Sequence, residues 1–355
     1  MGQLIPAPEP LGLPVPLWIL VGFKAFGFFV HLIFMNLWVA ALPTALCLLK
    51  SKPRAAERLL HSVPFFMAFG INAGIVPLLF LQTIYPQFFY PATILQAWFW
   101  FLVIPLLLIA YYAVYLASFG KFRVAATLMA TVLLYLIGMM FSSAMTLTAN
   151  PQAWPQIFLA SQQGGAVHGL HLYFDREVIF RFLLVVGMAF GTLAAYVALD
   201  ASWFARDETY KQETRNLALL YLVGGAVYGV GAVPYASSVT AKLPAVWIGA
   251  AGVLLLIGVA AALIYRQKLN RGAAAALAAI QSLVLLVNVV ARQWVQISEL
   301  SRWYDASKMP VRGEWGSLAL FLAVLLIAIA LLIWIGRVTL RATKITAVAE
   351  RNNLS

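Results

Sequence analysis

The sequence predicts an all-α integral membrane protein: a bundle of about nine transmembrane helices with its N-terminus outside and its C-terminus inside. Three observations predict it. The 355 residues are 63% hydrophobic and only 10% charged, with a mean hydropathy of +0.89. Apolar runs of about 20 residues or more recur along the chain, and a helix of that length crosses a hydrocarbon core of about 30 Å. Basic residues collect in every second connection between the runs, as they do on the cytoplasmic side of membrane proteins. The net charge of +12 is therefore read as topology and not as a nucleic-acid surface.

Residues 1–16 are rich in proline and nearly uncharged. They predict an extended lead-in, because proline removes a backbone donor and fixes φ. No basic n-region of a cleavable signal is evident in Met1-Gly-Gln-Leu-Ile-Pro. The first apolar run, 17–49, is too long for one crossing. Lys24 is expected to snorkel to an interface, which leaves 25–49 as the crossing. The remaining spans are expected at 63–85, 92–118, 124–149, 178–204, 215–235, 243–265, 272–297 and 315–336. A charged stretch at 205–214 is read as a cytoplasmic loop. It divides a five-helix half, 17–204, from a four-helix half, 215–341, and 342–355 forms a cytoplasmic tail. Gly224-Gly225 and Gly229-x-Gly231 are expected to make the sixth span locally loose.

With the N-terminus outside, the inner segments hold Lys50, Lys52, Arg54 and Arg58; Lys121 and Arg123; Arg206, Lys211 and Arg215; Arg266, Lys268 and Arg271; and Arg337, Arg341, Lys344 and Arg351. These are 16 of the 24 basic residues. The outer side has two larger loops, 150–177 and 298–314.

Polar chemistry then gathers toward the outer side. His31 is the one histidine well inside an apolar helix, in the aromatic-rich stretch Phe26–Trp38. An ionisable group inside a span is costly and marks a functional site by default. A neutral imidazole there is a natural haem ligand; a hydrogen bond to a neighbouring helix is the alternative. A methionine is a candidate second ligand, from Met35, Met139, Met140, Met145 and Met188, although methionine is also ordinary core filler. His168 and His171 share a face if their segment is helical, and then form a candidate metal pair. Arg292 stands at the outer edge of the eighth span, where a guanidinium suits a haem propionate or a lipid headgroup. His61, beside basic residues at the inner boundary, is read as an interfacial residue. Trp303, Tyr304 and Trp315 are either a membrane belt or interface anchors. Cys47 is the lone cysteine, so no internal disulfide and no Cys-x-x-Cys-His haem attachment exists within these residues. No carboxylate falls in the middle of a span, which argues against an ion-coupled transporter.

Four stretches together resemble subunit I of cytochrome bd oxidase. His31-Leu-Ile-Phe34 resembles that family's first-helix histidine followed by an aromatic. Phe69-Gly-Ile-Asn72 closely resembles its Phe-Gly-Ile-Asn. Ala149-Asn-Pro-Gln-Ala-Trp154 is similar to Ala-Asn-Gly-Trp-Met-Gln-Asn-Pro, and Arg292-Gln293-Trp294 to Gly-Arg-Gln-Pro-Trp. The family binds two b-type haems and a haem d, and reduces oxygen with electrons from quinol. The resemblance implies that His31 is the axial ligand of one haem near the outer face, with Arg292 beside the propionates. It implies cofactor contacts for Asn72, Gln96, Gln293 and Trp294. The departures are as informative. The histidine and methionine that hold the low-spin haem b fall at about Phe182 and Gly252. The quinol loop has shrunk to 236–242, and the glutamate ligand falls near Asn288 or Val289. The two acids of the third span fall near Gln96 and Ile104.

The expectation is thus a divergent bd-like subunit of a respiratory electron-transfer complex in the cytoplasmic membrane of a prokaryote. It carries one haem at His31 and works with other membrane subunits and an extracytoplasmic cytochrome c. The alternative is a haem-free structural or quinone-site anchor, and the third reading is a transporter.

Overall fold

The computed structural model describes residues 5–8, 10–205, 207–238 and 242–352. The elements in order are α1 (Leu17–Leu48), α2 (Pro53–Ile84), α3 (Pro86–Leu95), α4 (Trp98–Ser118), α5 (Arg123–Ala149), α6 (Trp154–Ser161), the two-residue strands β1 (Gln162–Gln163) and β2 (Ala166–Val167), α7 (Arg176–Leu199), α8 (Glu208–Arg215), α9 (Leu220–Ser238), α10 (Lys242–Lys268), α11 (Arg271–Leu300) and α12 (Trp315–Asn352). Among the described residues, nine helices are long and apolar enough to cross a membrane, with α8 and α9 counted as one. Phe101, Ile104, Leu108 and Tyr112 of α4 point away from the protein, so this helix is apolar on its outward side as well.

α1 lies between α2, α7, α5 and α11, and α7 packs along α9. One core joins α1, α2, α4, α5 and α7. A second joins α7, α9, α10 and α11. A third gathers Leu13, Leu20, Tyr85, Phe88, Trp154 and Leu300 at the end that carries the two larger loops. The lead-in is extended and is tied into that end: Leu13 N–H donates to the Pro310 carbonyl at 2.8 Å, and Arg312 N–H to the Leu13 carbonyl at 2.8 Å. Gly12 makes this approach possible, because a Cβ there would stand 2.2 Å from the Pro310 oxygen. In the facing loop, Asp305 accepts from the Ser307 hydroxyl at 2.6 Å and its N–H at 3.0 Å, which holds its carboxyl below the usual range.

Several expectations need correction. The second span begins at Pro53 instead of 63, since its charged first turns are also helical; Glu213 caps them by accepting from Ala55 N–H at 2.7 Å. The run 92–118 is broken. Ala97 adopts φ 50°, held by a bridge to Leu170 and by Trp98 N–H on the Gly169 carbonyl at 3.2 Å. The stretch 205–214 is not a plain loop but contains α8, with Asp207 capping Thr209 N–H at 2.9 Å; Arg206 lies outside the described residues. The tail is helical to Asn352, and 353–355 lie outside the described residues, as do 1–4, 9 and 239–241, the last within the 236–242 connection.

The sixth span is also not loose at all its glycines. A Cβ on Gly224 would stand 2.6 Å from the Gly187 carbonyl oxygen, and one on Gly231 2.5 Å from the Phe180 oxygen. These glycines bring α9 against the backbone of α7, as small residues do between membrane helices.

Candidate functional site

The site starts from a stripe on α1. Lys24, Phe28 and His31 fall at i, i+4 and i+7, so they share one face of the helix. Glycines on α2 let that helix come close. Gly70 and Gly74 are one turn apart; a Cβ at Gly70 would stand 2.2 Å from the Trp38 ring, and one at Gly74 2.7 Å from His31 Nδ1. The imidazole therefore lies against bare α2 backbone, and His31 Nδ1 donates to the Gly70 carbonyl at 2.7 Å. A carbonyl can only accept, so a proton sits on Nδ1, and in the neutral imidazole Nε2 keeps the lone pair. This is the backbone support that metal-binding histidines commonly have. Phe28 and Trp38 flank the ring, with centroids 6.4 and 6.2 Å away.

α11 closes the other side. The Arg292 guanidinium stacks over Phe28 at 4.4 Å. Among the described residues it has no ion pair. Lys24 is 1% exposed; its ammonium donates to Gln296 Oε1 at 2.6 Å and lies over the Tyr85 ring at 5.3 Å. The expected snorkelling is thus corrected: the lysine turns inward because α2, α3 and α11 cover its face. Arg181 of α7 donates to Thr146 Oγ1 at 2.9 Å and is near enough to repel Arg292. Glu177 lies one turn from Arg181, and Glu299 two turns from Arg292. Glu299 binds Arg302 at 2.7 Å. An uncompensated buried charge costs several kcal/mol, whereas a cation–π contact returns about 0.5–2 kcal/mol. The donor set is therefore one imidazole lone pair with positive charge in excess, and it favours a group that brings negative charge.

The other sequence candidates are placed differently. Gln293 is buried beside Arg292, with neither amide atom hydrogen-bonded. Trp294 is 43% exposed and turned outward. Asn72 is exposed and donates to the Ala68 carbonyl of its own helix at 2.7 Å. Gln96 is fully buried in another neighbourhood, where it donates to Ser143 Oγ on α5 at 2.6 Å. His168 and His171 do not share a helical face: residues 168–175 are irregular, and Gly164, Gly165 and Gly169 have positive φ. His171 Nε2 donates to the His168 carbonyl. Among the described residues, no group of three or more His, Cys, Asp or Glu side chains is placed to hold a metal ion. His61 is exposed, with Nδ1 3.3 Å from Ser118 Oγ.

Lys24 as a member of the site, Phe28, Arg181 and Gly74 were not anticipated, and Gly70 stood out only as part of the Phe69–Asn72 motif. The i, i+4, i+7 spacing of Lys24, Phe28 and His31 was the available signal. A scan against protein-family models and a search of curated proteins found no match to this chain.

Proposed function

We propose that this chain is a membrane subunit of a respiratory electron-transfer complex, similar to subunit I of cytochrome bd oxidase, and that it holds one haem at His31. The observation that carries the reading is His31 itself, with Nδ1–H given to Gly70 and two poorly compensated cations, Lys24 and Arg292, on the same side of the helix pair. One imidazole is a poor site for a bare metal ion, which needs several protein ligands. It suffices for an iron that brings its own ring of nitrogens. The residues fit such a group: His31 offers Nε2, and Lys24 and Arg292 offer charge to its two carboxylates. When bound, the haem supplies a one-electron redox centre.

The chain's own part is to bind and orient. Gly70 fixes the tautomer of His31, Gly74 leaves room for its ring, and Phe28 holds Arg292 in place. In this reading the helices form a bundle in the cytoplasmic membrane of a prokaryote, with the His31 end outside. An extracytoplasmic cytochrome c then reaches the site from the side of the 150–177 and 298–314 loops, and other membrane subunits complete the assembly.

The test is an optical spectrum of the purified chain. A reduced-minus-oxidised Soret change is expected, and it should vanish in His31→Ala while the protein still assembles. Correctly assembled native protein with no haem would sink the proposal.

A second reading, the haem-free quinone-site anchor, is favoured by one observation. An open surface groove of about 430 Å³ at the loop-bearing end is lined by Pro6, Pro8, Pro10, Pro86, Tyr90 and Pro91, with Gln87 in its wall. Such a volume and an apolar lining with one amide suit a small planar ligand. Extraction of a quinone from haem-free native protein would favour it.

A further inference from the structure

α1, α7 and α11 enclose a line of polar side chains that the His31 site does not use. On α7, Thr192, Tyr196 and Asp200 stand one turn apart on a single stripe. On α1, Asn36, Ala40 and Thr44 form the facing stripe, and α11 contributes Gln281. Asn36, Thr192 and Gln281 are 0%, 6% and 2% exposed.

The hydrogen bonds of this group can be counted. The Thr192 hydroxyl donates to the Met188 carbonyl at 2.8 Å. It accepts from Asn36 Nδ2 at 3.2 Å and from Gln281 Nε2 at 3.0 Å. One donor and two lone pairs are then used up. Asn36 Oδ1 and Gln281 Oε1 meet no donor at all. Turning either amide over does not repair this. Its oxygen would then face a hydroxyl whose proton is already given to Met188, and its NH2 would be the orphan. Thr44 Oγ1, two turns along α1 from Asn36, is also buried without a partner. Further along, the Tyr196 hydroxyl lies 3.3 Å from Ser62 Oγ, and Asp200 binds Arg58 and Tyr210.

Buried acceptors without a donor are rare in native proteins, and water is their usual partner inside a fold. Water suits this demand, since it has two protons to give to two amide oxygens. The polar positions on α7 recur every four residues, a rise of about 6 Å. That is roughly two hydrogen-bond lengths, the gap that one water bridges. We propose that a file of buried water fills the seam between α1, α7 and α11, with α2 closing its lower part, from the Arg58–Asp200 pair to Asn36 and Gln281. Solvent thereby reaches a level about 7.5 Å along α1 from His31. This goes beyond the haem reading and stands without it.

The test is water-edited solid-state NMR on the full chain in lipid bilayers, with asparagine and glutamine labelled. Polarisation from mobile water should reach the side-chain amides of Asn36 and Gln281, with exposed Gln163 as the positive control. In a Thr44→Val/Tyr196→Phe variant, which keeps the side-chain shapes, transfer to Asn36 and Gln281 should fall at least fivefold while Gln163 is unchanged. Native protein in which neither amide receives polarisation overturns the proposal, whatever the variant does. Undiminished transfer in a correctly folded variant overturns the route from the Arg58–Asp200 pair.

Discussion

Asp200 shows what a single residue does at the end of a membrane helix. It lies where α7 passes into a π-helical turn, Asp200–Phe204. It takes both guanidinium forks of Arg58, at 2.5 and 2.6 Å, and the Tyr210 hydroxyl at 2.7 Å. Three segments, α2, α7 and α8, are joined at one carboxylate. Bidentate charge-assisted bonds are the strong kind, and a half-exposed arginine still pairs well with a buried acid. Asp200→Asn removes the charge while keeping the shape. It should lower stability by about 1.5–3 kcal/mol, seen as a lower thermal midpoint in detergent, whereas Asp207→Asn, an exposed cap that can keep its hydrogen bond, should change it little. Residue chemistry was legible where a polar type stood alone in apolar sequence. His31 and Arg292 were singled out as candidates that way, the first inside a span and the second at its edge. Lys24 was assigned to the wrong surroundings, because a sequence does not say whether a helix face meets lipid or another helix. The orphan amides of Asn36 and Gln281 were invisible for the same reason: their neighbour Thr192 lies 156 and 89 residues away in the chain.

At the scale of elements, apolar length gave the long helices and glycine decides how two of them meet. α7 and α9 touch backbone to backbone. A Cβ on Gly187 would stand 2.4 Å from Tyr228 N, while one on Gly225 meets nothing within 4 Å. The two substitutions therefore separate packing from propensity. Gly187→Ala should destabilise the chain by about 1–3 kcal/mol, since backbone cannot move aside as a side chain can. Gly225→Ala should be neutral or stabilising by up to about 1 kcal/mol. Thermal unfolding of the two variants in one detergent checks the contrast; equal effects would mean that α9 does not sit on α7 in this register. The glycines were visible in the sequence, but their roles were not, because flexibility and close approach leave the same letter. The break at Ala97, α8 and the β1–β2 hairpin also escaped. The break at Ala97 is held from elsewhere by the Leu170 bridge, while α8, with its Asp207 cap, and the two-residue strands are too short to stand out from the charged and loop sequence around them.

The whole molecule is polarised along its helices. One end carries the Arg58, Arg123, Arg215, Arg266 and Arg271 side chains; these engage Asp200, Glu57, the Asn216 side chain and main-chain carbonyls there. The other end carries the paired charges Glu299–Arg302, Asp305–Lys308 and Arg312–Glu314. Excess positive charge at one end is what orients a membrane protein, because it is retained on the cytoplasmic side. The proposed orientation follows from that asymmetry. In the proposed function it also sets the electron route, since the His31 site lies toward the less basic end. Two cysteines test it, each introduced singly into a Cys47→Ser chain: Ser307→Cys in the loop-bearing end and Lys121→Cys in the basic end, both at exposed positions. In right-side-out vesicles, a membrane-impermeant maleimide should label Ser307→Cys at once. Lys121→Cys should be labelled only after the membrane is permeabilised. The reverse pattern would place His31 on the cytoplasmic half and remove any extracytoplasmic cytochrome from the proposal, while leaving the ligand chemistry of the histidine to be judged by its spectrum alone.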